Sequence, residues 1–478
     1  MILNPATTIR LRELQRTYRA LRDLPRAAAQ RRGQQFNDLI AEVLRAFGLD
    51  AKANVRGLRG RDEIDVVFTE GGADYILEAK WERNRINADP LEKLSRRLDD
   101  RPAGTRGILL SMSGYTKHGL EAFERRGVVG LRREHFEAVL AGLLSPQDLL
   151  QRIHTAQAAR GRHLVPLTDV LIPEATEIGP APVLRPTSDT PPPWKVIVDT
   201  ASGVTASEAF IGTWAPDCPA LALSLCADAG ELLVTTPYGV VGFDPATCAT
   251  RWALPLPGTT GRAVRGADGT LSVLCGNALV RWDPQEKDLS VLAGGFGGYA
   301  SLEAAADGTL WVYNQLGAAD SGSITLVRVG EQVGDEERFE VPFPAGSHAV
   351  PLSPGRFFLS GTGHSTLLDL VKDPVTSEAD WIKAEVQDGR AATRLDTTTV
   401  LVAGNRGSMD GFLFRHDLTT QDGAEQLAKF VANRVVDLAA GPAGAEGTHV
   451  WILADVQGND PVSRPVLISA RMHARTSC

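Results

Sequence analysis

From about Trp194 onward the chain repeats itself. The segments ADAGELLVTT (227–236), ADGTLSVLCG (267–276), ADGTLWVYNQ (306–315), SPGRFFLSGT (353–362), LDTTTVLVAG (395–404) and AEGTHVWILA (445–454) are alike in texture, most of them a turn leading into an apolar run. Aligned on Leu232, Leu271, Leu310, Phe357, Val400 and Val450, they recur at steps of 39, 39, 47, 43 and 50 residues. Helical periodicity fades here, Gly, Thr and Val rise, and turn residues cut the stretch into short strands, so each unit has room for four. All-β units at such a period predict a propeller, which closes radially and hides its sheet edges. The repeat gives about six blades, or seven if the strand WKVIVDT (194–200) completes a terminal one. A pair of β-sandwiches is the alternative. The turns at Phe243-Asp244-Pro245 and Trp282-Asp283-Pro284 read as structural. His364, His416 and His449 lack metal-ligand spacing. This half therefore carries no catalytic constellation and is expected to bind an unknown protein or small ligand on one face.

A connector precedes it. Pro166, Pro173, Pro180, Pro182, Pro186, Pro191, Pro192 and Pro193 punctuate a weakly apolar stretch that reads as extended and semi-rigid. The chain of 478 residues thus divides into an N-terminal helical arm (1–31), a first globular domain (32–165), the linker (166–193) and the all-β region (194–478). Charge divides the same way. The net −8 hides 29 Lys+Arg against 21 Asp+Glu in residues 1–165, and 21 against 37 in the remainder. A basic half beside an acidic one directs a polyanionic partner to the first half only. No stretch approaches a membrane span, and MILNPATTIRLRELQ has no signal-peptide core, so the expected location is cytoplasmic and no membrane partner is expected. The five cysteines show no C-x-x-C pairing, which argues against a zinc site or a disulfide framework.

The chemistry of the first domain centres on EIDVVFTEGGADYILEAKW (63–81). Gly71-Gly72 is a natural two-residue hairpin turn. With that turn, Phe68 faces Tyr75, Val66 faces Leu77 and Ile64 faces Ala79 on an apolar side. On the other side Asp65 falls opposite Glu78, and Glu63 opposite Lys80. Two carboxylates so close repel unless a cation or proton lies between them. A hard divalent ion such as Mg²⁺ (or Mn²⁺) takes such oxygen ligands, acidifies a water and offsets charge on a scissile phosphate. Lys80 would orient that water or bind the phosphate. The plain alternative is a solvated charged face with a Glu63–Lys80 pair, although carboxylates set among Val, Ile, Leu, Phe and Tyr are costly without a role.

Around the hairpin the periodicity predicts an α/β unit. Leu11, Leu14, Tyr18, Leu21 and Leu24 form a stripe on a helix over 8–30 that Pro25 breaks. That helix would pack or dimerise, or serve as a basic arm on DNA. GQQFNDLIAEVLRAFG (33–48) is amphipathic and stops at Gly48. ANVRGLRGRDE reads as a loop. Helices follow at 90–100, 116–127, 133–144 and 145–153, with strands at 106–112 and 128–131.

RGQQFNDLIAEVLRAFG, DEIDVVF, YILEAKW and TRGILLSMSGYTKHGLEAF, in that order, resemble the restriction-endonuclease-like (Mrr-type) branch of the PD-(D/E)xK nucleases, over Arg32 to Leu144. The C-terminal half resembles WD40 and PQQ-like propellers in texture only, without their Gly-His…Trp-Asp signature. The nuclease resemblance implies a metal-dependent DNA endonuclease in which Asp65 and Glu78 hold Mg²⁺ or Mn²⁺ and Lys80 is the catalytic lysine. Glu63 is a fourth candidate, tuning the lysine or supplying a carboxylate. Many members carry Glu just after the first helix's aromatic residue, where this chain has Asn37; Asp38 or Glu42 is a candidate substitute. Arg56, Arg59, Arg61, Arg83 and Arg85 are the candidate DNA contacts. Ser111 would contact a phosphate or end a buried strand, and the Gly114-Tyr115 loop has no assigned role. The fusion of nuclease and interaction module suggests a bacterial defence or restriction effector, by analogy. Two other expectations stay open: a non-catalytic DNA-binding scaffold, and a propeller that senses a partner or ligand beside a vestigial nuclease. A homodimer is expected of a nuclease that cuts both strands.

Overall fold

Apolar alternation sets a five-stranded sheet in the N-terminal domain. A computed structural model describes residues 3–473 except 57–62, 124–127, 162–163, 173–180, 187–197, 202, 216–217, 220–223, 229, 298, 316–322, 343–347, 362–363, 371–375, 384–387, 407–408, 421–423, 442–446 and 458–462. The helices of the N-terminal domain are α1 (Pro5–Arg22), α2 (Ala29–Ala46), α3 (Asp89–Asp99), α4 (Lys117–Phe123), α5 (Arg133–Leu140), α6 (Pro146–Arg160) and α7 (Leu167–Leu171). Its strands are β1 (Ala51–Arg56), β2 (Glu63–Glu70), β3 (Ala73–Lys80), β4 (Arg106–Ser111) and β5 (Val129–Arg132). They lie in the order β1-β2-β3-β4-β5, the first three antiparallel and the last three parallel. Parallel pairing requires crossovers, which α3 and α4 supply.

Each face of the sheet is covered. Phe36, Leu39, Ile40, Val43 and Leu44 of α2 pack on Val66, Phe68, Tyr75, Leu77, Ile108 and Leu110. Leu91 and Leu94 of α3 and Phe123 of α4 pack on Ile76 and Leu109 from the other side. Ala51–Arg56, read from sequence as part of a loop, is an edge strand instead. Its residues do alternate, but two alanines and an asparagine are poor strand formers, and the Arg- and Gly-rich run that follows makes the stretch read as a loop.

The N-terminal arm is not a separate unit. Asn4 caps α1 by accepting from the Thr7 amide (2.8 Å), and Leu11, Leu14, Tyr18 and Leu21 are all buried within the chain. The stripe, expected to pack or to dimerise, is therefore packed within the chain. The Pro-rich linker also holds structure. Pro166 precedes α7, whose Leu167, Val170 and Leu171 are buried, and Leu184–Pro186 pairs with Val204–Ile211. Pro173, Pro180 and Pro191 to Pro193 lie outside the described residues.

The C-terminal region is a propeller of six blades: residues 224–255, 259–294, 299–341, 348–383, 388–431 and 434–472. The first strand of each blade touches the first strand of the next, and the sixth returns to the first, closing the ring. Val204–Ile211 pairs with Ser463–Met472 and gives the sixth blade its outer strand. Val198–Thr200 joins the outer edge of the fifth blade, so it does not begin a seventh. Buried charge pins the inner ring. The Arg262 guanidinium of blade 2 is ion-paired to Asp437 of blade 6 (2.6 Å) and to Glu303 of blade 3. His348 of blade 4 shares Glu303 (2.9 Å), and Asp437 also accepts the Leu225 amide of blade 1 (2.8 Å).

The two domains share one hydrophobic core, in which Leu140, Leu143 and Leu144 meet Ala278 and Val291. Gln15 donates to the Leu140 carbonyl (2.9 Å) and Arg12 to that of Gly295 (2.8 Å). A side chain at Gly294 would lie 2.4 Å from Ala141. Arg22 of α1 pairs with Asp335 and binds Gln332 of blade 3. Among the described residues, no helix is long and apolar enough to cross a membrane.

Candidate active site

The site forms where two strands part. From Glu70–Ala73 to Val66–Leu77, β2 and β3 pair in the register expected from the turn, with Gly71 and Gly72 at φ 57° and 77°. Beyond Val66 the ladder ends. On the other edge, Ala53 pairs with Val66 and Val55 with Ile64, while Asn54, opposite Asp65, is at φ 52°. That left-handed conformation is uncommon outside glycine, and asparagine tolerates it better than most residues. Ile64, expected to face Ala79 on the Val66 side, packs instead with Ile76 and Leu109 under α3.

Asp65 fills the fork. One carboxylate oxygen accepts the Ala79 amide (2.8 Å), and the other accepts Asn37 Nδ2 (3.1 Å). The same Asn37 nitrogen donates to Asn54 Oδ1 (2.9 Å), and Asn54 Nδ2 donates to Asp38 (2.9 Å). Burial first, and the Glu78 charge second, hold the Asp65 carboxyl above the usual range against its Ala79, Lys80 and Asn37 contacts. Glu78 is largely buried and pairs with Lys80 Nζ (2.9 Å) and with Arg97 of α3. Residues two apart share a strand face, which is why Lys80 reaches Glu78.

The other candidates lie further away. Glu63 is exposed and its ladder partner is Arg56, so the expected Glu63–Lys80 pair does not form. Glu42 pairs with Arg10 (2.8 Å) and Arg45 (3.3 Å), away from Asp65. Asp38 reaches the site only through Asn54. The α2 residue that touches Asp65 is thus Asn37, the position where the sequence departs from the resembled pattern. Arg97 was missed, since an arginine on an amphipathic helix gives no sign of which strand it will meet.

Arg56, Arg83 and Arg85 are exposed; Arg59 and Arg61 lie outside the described residues. Arg85 borders a cleft of about 1040 Å³ between the domains, across from the blade 2 hairpin that carries Trp282, Lys287 and Asp288. Ser111 is fully buried and donates to the Gly114 carbonyl (2.7 Å), so it ends a strand rather than facing a phosphate. The Tyr115 hydroxyl lies 2.6 Å from the Leu109 carbonyl and 2.8 Å from that of Leu131, which makes the Gly114-Tyr115 loop a staple between β4 and β5.

A hard cation fits the chemistry of this donor set. Asp65 and Glu78 offer carboxylate oxygens, and their mutual repulsion is what a divalent ion relieves. Among the described residues no group of three or more His, Cys, Asp or Glu side chains gathers around one point. Water and substrate phosphate would complete the coordination.

Residues 28–140 match the restriction endonuclease family Mrr_cat. No curated protein matches the chain. Among solved structures, the gluconolactonase XC5397 of Xanthomonas campestris is 11% identical, with a TM-score of 0.41, covering 59% of this chain and 99% of that one. The calcium-binding protein regucalcin of Agrobacterium tumefaciens is 11% identical, with a TM-score of 0.40, covering 52% and 91%. The protein AF1548, whose function is unknown, is 18% identical, with a TM-score of 0.21, covering 26% and 78%. The chain is therefore an α/β nuclease domain followed by an all-β propeller of six blades.

Proposed function

We propose that this chain is a metal-dependent DNA endonuclease whose site is Asp65, Glu78 and Lys80, rigidly mounted on a recognition propeller. The observation that carries the reading is the fork between β2 and β3. It brings the Asp65 carboxyl under the influence of the Glu78 charge, with Lys80 attached to Glu78, inside residues that match a restriction endonuclease family. Asp65 and Glu78 would hold Mg²⁺ or Mn²⁺, and the bound ion would supply an acidified water and offset phosphate charge.

The protein's own groups do the positioning. The Ala79 amide and Asn37 fix both oxygens of Asp65. Arg97 holds Glu78 from the α3 side, and what distinguishes Lys80 is its place at the strand end beside Asp65, whose charge it offsets. There it would orient the attacking water or neutralise the phosphate as the P–O bond breaks. Arg56, Arg83 and Arg85 would grip the DNA backbone in a salt-sensitive, sequence-independent way. A restriction or defence role rests on analogy with the family.

Glu78 is doubly ion-paired and Asn37 stands where many relatives carry Glu, which favours a second reading: a DNA-binding scaffold without catalysis. Plasmid cleavage by the full chain in Mg²⁺ or Mn²⁺ separates the two. Cleavage that disappears in EDTA, in Glu78→Ala and in Lys80→Ala supports the nuclease. DNA binding with no cleavage by the wild type supports the scaffold, and cleavage that survives both substitutions sinks the assigned site.

A further inference from the structure

Arginines crowd the seam where α1 crosses between blades 2 and 3. A cavity of about 340 Å³ there is bordered by Arg12, Arg16, Arg19, Asp23, Glu336 and Arg338. The guanidinium groups of Arg12 and Arg338 are each held along one side. Arg12 Nε donates to the Gly295 carbonyl (2.8 Å), and Arg338 Nη2 donates to the adjacent Gly294 carbonyl (2.7 Å). Arg338 also lies over the Phe296 ring at 5.6 Å. These tethers fix two like charges side by side. One nitrogen of each, Arg12 Nη2 and Arg338 Nη1, is buried with no hydrogen-bond partner. A buried guanidinium nitrogen without an acceptor is costly, and such groups in native proteins call for an explanation.

The nearby carboxylates do not remove the imbalance. Both oxygens of Glu336 are engaged, one by Arg338 Nη2 (3.1 Å) and the other by the Gly334 amide (2.9 Å). Asp335 is taken by Arg22 and lies 3.9 Å from Arg19. Arg16 is exposed and has no ion pair among the described residues. Burial first, and the Arg338 charge second, push the Arg12 guanidinium down to about 10, despite Glu340 and Glu336. A pre-oriented pair of guanidinium forks matches an oxyanion, and the border of the cavity carries four arginines against Asp23 and Glu336, with Asp335 and Glu340 close by.

We propose that this seam binds a phosphate-bearing ligand, held by Arg12 and Arg338 from below and by Arg16 and Arg19 at the rim. The cavity falls at the lower end of small-molecule sites, roughly 300–1,000 Å³, which fits a mononucleotide or a short stretch of phosphate backbone. Because α1 supplies three of the arginines and the propeller the fourth, the ligand would tighten the docking of α1 on the propeller.

Calorimetric titration of the full chain tests this with pyrophosphate, ATP and a duplex of about twenty base pairs, a length well beyond the cavity. Arg338→Gln and the exposed double variant Arg16→Glu, Arg19→Glu are run beside it. Saturable binding of pyrophosphate or ATP is expected, weakened roughly tenfold or more in each variant. The double variant leaves the buried pair intact, and its melting without ligand, followed alongside, separates loss of binding from loss of the fold. If the duplex displaces ATP, the phosphate comes from nucleic acid; if it does not, from a small molecule. No binding of any of the three, or binding that both variants leave unchanged, overturns the proposal. None of these readouts depends on DNA cleavage.

Discussion

Asn37→Asp perturbs the site at its most informative contact. Asn37 Nδ2 lies 3.1 Å from Asp65 Oδ1, and the substitution places an acceptor and a negative charge there. Two costs follow. A hydrogen bond to a charged group contributes about 1.5–3 kcal/mol, and two unit charges about 4 Å apart repel by roughly 4 kcal/mol at an effective dielectric constant of 20. Rotation of the new side chain toward solvent offsets part of this, leaving about 3 kcal/mol. Because the two domains share one core, the melting unit approaches the whole chain, and at about 2 cal/mol/K per residue the fall in melting temperature is roughly 3 °C. The loss should depend on pH. Asp65 is already held high by burial and by Glu78, and the introduced carboxylate beside it would raise it further and be raised in turn. A carboxyl with a raised folded pKa adds stability that is full below its unfolded value, about 3.9, and is lost as pH rises through the folded value. The deficit should therefore be large in EDTA at pH 8, shrink toward pH 5, and be recovered at pH 8 by millimolar Mn²⁺. Differential scanning fluorimetry measures all three. Equal melting temperatures for variant and wild type at pH 8 in EDTA would refute the Asn37–Asp65 contact.

Two further substitutions probe the scaffold. Arg262→Met leaves Asp437 buried without its cation and Glu303 with His348 alone; breaking such a pair from one side costs about 3–5 kcal/mol, so guanidinium unfolding should shift to lower denaturant, less so at acidic pH where carboxylates protonate. Gly294→Val forces a branched side chain into the 2.4 Å approach to Ala141, and the overpacking, about 1–3 kcal/mol or more, should open the seam and make α1 susceptible to limited proteolysis in the folded protein.

Much of the site was legible because a glycine pair fixes a register and a strand has period two. Gly71-Gly72 sets Phe68 against Tyr75 and Val66 against Leu77, which places Asp65 and Glu78 near each other. The pattern does not reveal where the ladder stops. It stops after Val66–Leu77, at Asp65, whose β1 neighbour Asn54 is in a left-handed conformation. Past that point Ile64 packs in the opposite layer. The propeller was legible from its repeat, and its blade number was settled by pairing between distant segments, Val204–Ile211 with Ser463–Met472. The leucine stripe of α1 showed that something must cover it. Periodicity does not say whether the cover is a second copy or, as here, the rest of the same chain.

On the proposed reading, Asp65 and Glu78 together bind one divalent cation. Mn²⁺ binding to the full chain, followed by electron paramagnetic resonance, tests it most directly. One strongly bound Mn²⁺ per chain is predicted, displaced by excess Mg²⁺ and lost in both Asp65→Asn and Glu78→Ala. A bound Mn²⁺ that persists unchanged in both variants, or no bound Mn²⁺ in the wild type at millimolar concentration, would contradict it.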